Sequence, residues 1–217
     1  MTTYRKFNYN RATSAFATQF NDFFAYAAAD WTLTTVEAGA GSATEALQAG
    51  PCGQLLVTND AADNDADWFQ WPTEQFKFVS GKKLQFSMRF KLSRVDGDFM
   101  AGLHITDTDP IGGVSDGIYF RKLAAEAGLS LVIEKNAAES AVVAITTLVA
   151  DTWYEIEFYY DGSNSRVQAY VDGTGAGSVP LTNAPDDEDL ALSFGFQNGS
   201  ANASTLTVDY IGAAQQR

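Results

Sequence analysis

Apolar and polar residues alternate one by one along much of this chain. The clearest example is WYEIEFYYDGSNSRVQAYVDG, residues 153–173, where every second residue from Tyr154 to Tyr160 is apolar. The alternation resumes at Val167, after the cluster DGSNS. A period of two is typical of a half-buried strand, and Asp, Gly, Ser and Asn between two such runs are typical of a turn. The segment therefore predicts an antiparallel hairpin.

The same pattern covers most of the remaining sequence. Within Lys83–Leu92 we expect five residues to face a core, namely Leu84, Phe86, Met88, Phe90 and Leu92, and we expect Lys83, Gln85, Ser87, Arg89 and Lys91 to face outward. Further strands are predicted at Gly53–Val57, Trp68–Phe78 with a break at Pro72, Phe99–Thr106, Gly117–Arg121, Leu129–Glu134, Ala141–Thr147, 190–196 and 206–210. Turn clusters at roughly 8- to 12-residue spacing favour a sandwich or barrel over βαβ units. We predict one all-β domain with at least ten strands in two sheets.

Composition limits the class of protein. The 217 residues are 46% hydrophobic, enough for one large β domain, and we predict that it spans residues 21–217. No window approaches 18 consecutive apolar residues, so no membrane helix is expected, and FFAYAAA (23–29) is too short for a signal peptide. The net charge of -13 opposes nucleic-acid binding. Cys52 is the single cysteine, which excludes an intramolecular disulfide and favours assembly in a reducing cytosol.

The first 20 residues differ in charge from the rest of the chain. They hold three basic residues and no acidic one. We predict that residues 1–20 form a short N-terminal arm that docks on a partner. The residues expected to make the contact are Arg5, Lys6, Phe7, Tyr9 and Arg11. The alternative interpretation is a plain first strand or a frayed terminus.

The sequence offers few groups for catalysis. His104 is the only histidine, and no G-x-S-x-G turn presents a nucleophile to it. Cys52 would need the same histidine. Glu155 and Glu157 form the nearest carboxylate pair for glycoside hydrolysis, but the same strand face carries no further acidic residue. We predict no catalytic residues and no enzyme activity.

Acidic residues cluster twice, at Asp60, Asp63, Asp65, Asp67 and at Asp107, Asp109, Asp116. Asp63, Asp65, Asp67 and Glu74 match positions 1, 3, 5 and 12 of an EF-hand loop, but Trp68 stands where that loop requires glycine. An EF-hand is therefore excluded, while a looser calcium site in either surface loop stays an alternative. The prediction is no metal and no cofactor.

Four aromatic residues, Trp68, Trp71, Trp153 and Tyr159, are candidates for stacking on sugar rings. Aromatic residues on strands also serve as core residues or subunit contacts, so this interpretation stays an alternative.

Several stretches together resemble the concanavalin A-like (laminin G-like) jelly roll. They are WYEIEFYYDG, AYVDG, LALSFGFQNGS and TLTVDYIG, and the resemblance covers about residues 50–215. The stretches GKKLQFSMRFKLS, FMAGLHITDTDP and SDGIYFRK are similar to small structural proteins of tailed bacteriophages with this fold. The resemblance implies a two-sheet antiparallel jelly-roll sandwich without a catalytic motif.

The same resemblance implies a capsid decoration (cement) protein on the outer surface of the virion, assembled in the host cytoplasm. Its partners would be the major capsid protein and sister copies, in a trimer or another symmetric homo-oligomer, with no nucleic acid and no membrane. The alternative is a lectin-like carbohydrate-binding domain, and a weaker third option is a glycan-degrading enzyme. A decoration protein needs a flat, partly apolar surface, whereas a lectin needs a concave site with grouped polar side chains.

Overall fold

Sixteen strands and three short helical turns follow one another in residues 15–217, which the computed structural model describes. The strands are β1 Phe16–Asn21, β2 Thr32–Val36, β3 Thr44–Leu47, β4 Leu55–Asn59, β5 Ala66–Gln70, β6 Phe76–Lys77, β7 Leu84–Leu92, β8 Asp98–His104, β9 Gly117–Lys122, β10 Leu129–Lys135, β11 Ala138–Thr146, β12 Tyr154–Tyr160, β13 Arg166–Val171, β14 Thr174–Pro180, β15 Asp189–Gln197 and β16 Ser204–Gln216. One helical turn, α1, covers Pro110–Gly113, and 3-10 turns cover Ala28–Asp30 and Leu181–Asn183. No helix among these residues is long and apolar enough to cross a membrane.

The strands form two antiparallel sheets of eight strands each. Sheet A has the order β14-β13-β12-β7-β16-β4-β3, and β1 pairs with the last part of β16. Sheet B has the order β11-β10-β9-β8-β15-β5-β2, and β6 pairs with the start of β15. The two sheets pack face to face, so the predicted two-sheet antiparallel sandwich is confirmed.

The core lies between the inner faces of the two sheets. The five residues of β7 predicted to face inward are all buried: Leu84, Phe86, Met88, Phe90 and Leu92. Aromatic rings fill much of this space, and the rings of Phe69 and Phe194 stack at 4.7 Å. Because burial of each aromatic side chain removes a large apolar area from water, this layer supplies much of the driving force for folding.

Two expectations about exposed segments differ from the structure. Gln85 and Ser87, predicted to face solvent, lie on the outer face of sheet A but are buried. Residues 16–20, which the charge pattern assigned to the arm, belong to β1 and pair with β16. The predicted contact residues Arg5, Lys6, Phe7, Tyr9 and Arg11 lie outside the described residues.

The outer face of sheet B is partly covered by its own loop. Residues 105–116, which connect β8 to β9 and include α1, fold over the sheet. The residues Ala66, Trp68, Met100, Val114, Tyr119 and Val132 form a second, smaller apolar cluster there, with Ile105 and Ile111 against it. This loop creates the walls of a site on an otherwise open sheet.

Candidate functional site

A cavity of about 440 Å³ lies on the outer face of sheet B, between its edge strand and the β8–β9 loop. Thr32 and Thr34 on β2 and Gln70 on β5 line one side, and residues 106–108 line the other. Thr32 is the register partner of Gln70, so their side chains lie on the same face of the sheet. We call this cavity the threonine groove.

Gln70 fixes the loop wall of the threonine groove. Its side-chain Nε2 donates to the backbone oxygen of Asp107 at 2.7 Å, and the backbone N–H of Asp107 donates to Gln70 Oε1 at 2.8 Å. The side-chain amide therefore pairs with both the backbone N–H and the backbone oxygen of one residue, as a residue on a neighbouring antiparallel strand would. Gln70 is 1% exposed, so these bonds are shielded from water and hold the loop at a set distance from β5.

Two carboxylates brace the same wall. Glu74 Oε1 accepts hydrogen bonds from the backbone N–H of Thr106 at 2.7 Å and from its hydroxyl at 2.9 Å. Asp107 Oδ1 accepts the backbone N–H of Asp109 at 2.7 Å. Glu74, in the segment between β5 and β6, therefore holds the loop from outside, and Asp107 orders it from within.

The lining of the groove is rich in hydroxyl and carboxylate groups. Four threonines and Asp107 surround the space above Gln70, and the lining residues include no aromatic side chain. Its volume lies within the range of small-molecule sites, about 300 to 1,000 Å³. Hydroxyl and carboxylate groups on a preordered frame match a ligand that presents many hydroxyl groups.

His104 lies under the same loop but is enclosed. It is 1% exposed, its Nδ1 lies 2.7 Å from the backbone oxygen of Ile105, and its ring meets that of Tyr119 edge-on. Because a carbonyl oxygen only accepts, Nδ1 carries the proton in the neutral ring. Burial lowers the pKa of His104 to about 4, against the smaller opposing effects of the Ile105 carbonyl, Asp107 and Glu74. The ring is therefore a neutral structural group at pH 7.

The other candidate catalytic residues lie elsewhere. Cys52 is exposed in the turn between β3 and β4, in sheet A, whereas His104 is in sheet B. Glu155 and Glu157 lie on the outer face of sheet A, opposite Arg89 and Ser87 of β7. Both sheets separate this pair from the threonine groove, so the pair cannot act on a ligand bound there.

The aromatic residues proposed for sugar stacking are largely occupied by protein contacts. Trp68 is 2% exposed under the β8–β9 loop, which rules it out as a stacking platform. Trp71 is half-buried and meets Trp31 edge-on, with ring centroids 5.2 Å apart. Trp153 is half-buried, and the guanidinium of Arg89 lies 4.4 Å from its ring centroid. Tyr159 is half-buried, and burial raises the pKa of its hydroxyl.

In the first acidic cluster, Asp60, Asp63 and Asp65 lie in the turn between β4 and β5, and Asp67 lies on β5, so no helix of residues 15–217 flanks the cluster in the chain. Asp63 is exposed, whereas Asp65 and Asp67 are buried. Burial raises the pKa of Asp67 to about 7, against a hydrogen bond from Thr35. Glu37, after β2, joins Asp60 and Asp65 in a three-carboxylate cluster that sequence spacing did not indicate. In the second cluster, Asp107 and Asp116 accept hydrogen bonds from their own loop and its neighbours.

Comparison with known proteins identifies the fold. No protein-family model matches the sequence, and no curated protein matches it. Solved structures do match the fold. An endo-1,3-beta-glucanase from Streptomyces sioyaensis is 13% identical with a TM-score of 0.62, and the match covers 94% of this chain and 98% of that one. Peanut lectin is 11% identical with a TM-score of 0.55, over 94% of this chain and 98% of that one.

A third match is a carbohydrate esterase from the Shiga toxin-encoding bacteriophage phi24B. It is 16% identical with a TM-score of 0.52, over 86% of this chain and 90% of that one. At such low identities these likenesses establish the architecture alone, because one fold serves many functions. The chain has the concanavalin A-like jelly-roll fold that its sequence resembles.

Proposed function

We propose that this protein is a non-enzymatic glycan-binding domain and that it binds its ligand in the threonine groove. The observation that carries the proposal is the paired hydrogen bonding between Gln70 and the backbone of Asp107. These bonds set the distance between the two polar walls before a ligand binds. Binding of a sugar unit therefore costs little conformational entropy in the loop. Lectins and glycan-acting enzymes share the fold, which is compatible with this assignment.

The proposal of no enzyme activity rests on the chemistry near the groove. Glycoside hydrolysis needs one carboxyl group to donate a proton and a second to act as nucleophile or base. Glu74 and Asp107 already accept hydrogen bonds from the loop that they order. Glu155 and Glu157 lie on the opposite outer face of the sandwich. Binding without turnover is therefore the expected behaviour.

A glycan array with the full chain tests this function. We expect retention on a restricted set of glycans, no release of reducing ends, and at least tenfold weaker binding for the double variant Thr32→Val, Thr34→Val. These changes remove two hydroxyl groups at nearly constant volume. Thr44→Val, at an exposed threonine on β3 of the other sheet, is the matched control and should bind as the wild type. Equal binding by both variants would reject the groove as the site.

The second candidate function is the capsid decoration that the sequence resemblance implies, at the outer surface of a virion. The observation that favours it is the edge strand β11, which within the described part of the chain pairs with β10 alone and carries Val143 with 72% of its surface exposed. Val149, which lies after the end of β11, has 58% of its surface exposed. An edge strand offers unpaired backbone groups to a neighbouring subunit, either the major capsid protein or a sister copy.

Co-sedimentation with capsids separates the two functions. For decoration we expect Val143→Glu to reduce capsid binding while glycan binding stays unchanged. For glycan binding alone, the wild-type chain stays in the supernatant with capsids that lack the glycan. A sizing run of both chains tests whether β11 also joins sister copies.

A further inference from the structure

Three carboxylates from two segments, the loop after β2 and the turn between β4 and β5, meet at one end of the sandwich. Glu37 follows β2, Asp60 follows β4, and Asp65 precedes β5. Val36 and Ala66 are register partners, which brings the end of β2 next to the start of β5, and the turn 60–65 crosses from sheet A to sheet B at that end. One carboxylate oxygen from each residue lies within 4.8 Å of the other two. We call this group the carboxylate triad.

Asp65 is a buried acceptor without enough donors. It is 1% exposed, and its Oδ1 accepts the backbone N–H of Ala38 at 2.6 Å. Among residues 15–217, neither Oδ2 of Asp65 nor the buried Oδ1 of Asp60 has a hydrogen-bond partner. None of the three carboxylates forms a salt bridge within residues 15–217. A buried charged oxygen with no donor is costly, so these atoms require a proton or a cation.

We propose that the carboxylate triad of Glu37, Asp60 and Asp65 binds a calcium ion. Calcium takes oxygen ligands at about 2.3 to 2.6 Å, so any two of its ligands lie at most about 4.6 to 5.2 Å apart. The separations within the triad fit that limit. Calcium fits better than magnesium, because magnesium demands near-ideal octahedral geometry and keeps most of its water, whereas calcium accepts irregular sets of carboxylates.

The loop after β2 lies very close to the turn that carries Asp60. A Cβ atom on Gly41 would lie 1.8 Å from Oδ2 of Asp60, and one on Gly39 would lie 2.8 Å from Cβ of Ala62. The loop after Glu37 therefore passes over Asp60 only because these two positions carry no side chain. Backbone N–H groups of this loop hold it against the triad: that of Ala38 donates to Oδ1 of Asp65 at 2.6 Å, and that of Ala43 donates to Oε1 of Glu37 at 2.9 Å.

The opposite side of the triad is held by amide side chains. Nδ2 of Asn198 donates to the backbone oxygens of Asp60 and Ala62 at 2.7 and 3.0 Å. Nδ2 of Asn59 donates to the backbone oxygen of Asp65 at 2.8 Å. These bonds fix the turn without neutralising a carboxylate. Burial, with the nearby carboxyl group of Asp60, raises the pKa of Asp65, as expected where like charges lack a counterion.

Calorimetric titration of the chelator-treated full chain with CaCl₂ tests the proposal at neutral pH. We expect one ion per chain with a dissociation constant between about 10⁻⁴ and 10⁻³ M, the range of calcium sites in extracellular modules. At a calcium concentration about 100 times the dissociation constant, the melting temperature should rise by about 5 to 10 °C. MgCl₂ at the same concentration should raise it far less, and an equal rise would overturn the choice of calcium.

Variants distinguish calcium binding at the carboxylate triad from non-specific attraction of calcium to an acidic protein surface. Asp60→Asn and Glu37→Gln should each weaken calcium binding at least tenfold, and should raise the melting temperature in chelator because they remove repulsion within the triad. Asp63→Asn is the matched control, since Asp63 is exposed in the same turn, and it should bind calcium within about twofold of the wild type. No binding up to about 10 mM calcium, tenfold above the weakest expected constant, would overturn the proposal, as would equal loss in the control.

Discussion

Phe90 on β7 and Phe99 on β8 stack across the two sheets, with ring centroids 4.3 Å apart and planes 14° apart. Both side chains are fully buried. The pair joins sheet A to sheet B near the middle of the sandwich, where neither ring can shift without opening the core. We therefore expect Phe90→Ala to lower the free energy of unfolding by about 3 to 5 kcal/mol.

Urea unfolding followed by tryptophan fluorescence measures that loss. Val143→Ala is the control, because an exposed apolar side chain should change the free energy of unfolding by no more than about 0.5 kcal/mol. A loss below about 1 kcal/mol for Phe90→Ala would mean that the ring is not part of a closely packed core.

Gln70→Ala tests the preset wall of the threonine groove. The change removes the side-chain partners of both the backbone N–H and the backbone oxygen of Asp107, so we expect a loss of about 1 to 3 kcal/mol in the free energy of unfolding. Amide hydrogen exchange of residues 106–109 should become faster while that of β5 stays slow. Gln48→Ala, at an exposed position, should leave both measurements unchanged. Unchanged exchange in Gln70→Ala would show that Glu74 and Asp107 order the loop without Gln70.

Protonation of His104 is expected to lower the free energy of unfolding in mild acid. Its folded pKa of about 4 lies below the unfolded value of 6.5, so the unfolded chain takes up the proton first as the pH falls. The contribution is present above pH 6.5 and disappears progressively towards pH 4, with about 2 kcal/mol lost between pH 7 and pH 5. Protonation of Asp67, whose pKa is raised to about 7, stabilises the fold over the same interval, so the effect of His104 is measured as a difference between two chains. By urea unfolding, the change in the free energy of unfolding from pH 7 to pH 5 should be about 2 kcal/mol less favourable in the wild type than in His104→Gln. An identical change in both chains would contradict this prediction.

Two truncations separate the N-terminal segment from the sheet. Deleting residues 2–14 leaves β1 in place and should preserve the melting temperature. Deleting residues 2–20 removes the register partners of residues 212–216 at the end of β16, so this part of β16 loses its hydrogen-bonded neighbour and the melting temperature should fall. If the shorter deletion reduces capsid binding or changes the oligomeric state without unfolding the chain, residues 1–14 carry the docking function expected from their charge.

Local pattern was sufficient to predict the core but not the sites. In β7, strict alternation of large apolar residues identified the buried face, because a strand with one face on the core must repeat every two residues. The strand β14 was missed, since TGAGSVP contains almost no large apolar side chain. Thr32 and Gln70, or Glu37 and Asp60, are far apart in sequence and meet only through pairing of strands. Local sequence patterns do not show which distant residues strand pairing brings into contact.

The pairing of β1 with the last part of β16 has a mechanical consequence. The backbone N–H of Arg217 donates to the oxygen of Ala15, and Phe16 is the register partner of Gln216. A force applied at residues 15 and 217 therefore acts on both strands at the same end of their ladder. Tension between residue 15 and residue 217 would load the hydrogen bonds of this antiparallel ladder one at a time, as in opening a zipper, and never all together in shear. A pull at these two points would peel β1 away at low force while β7 still holds β16.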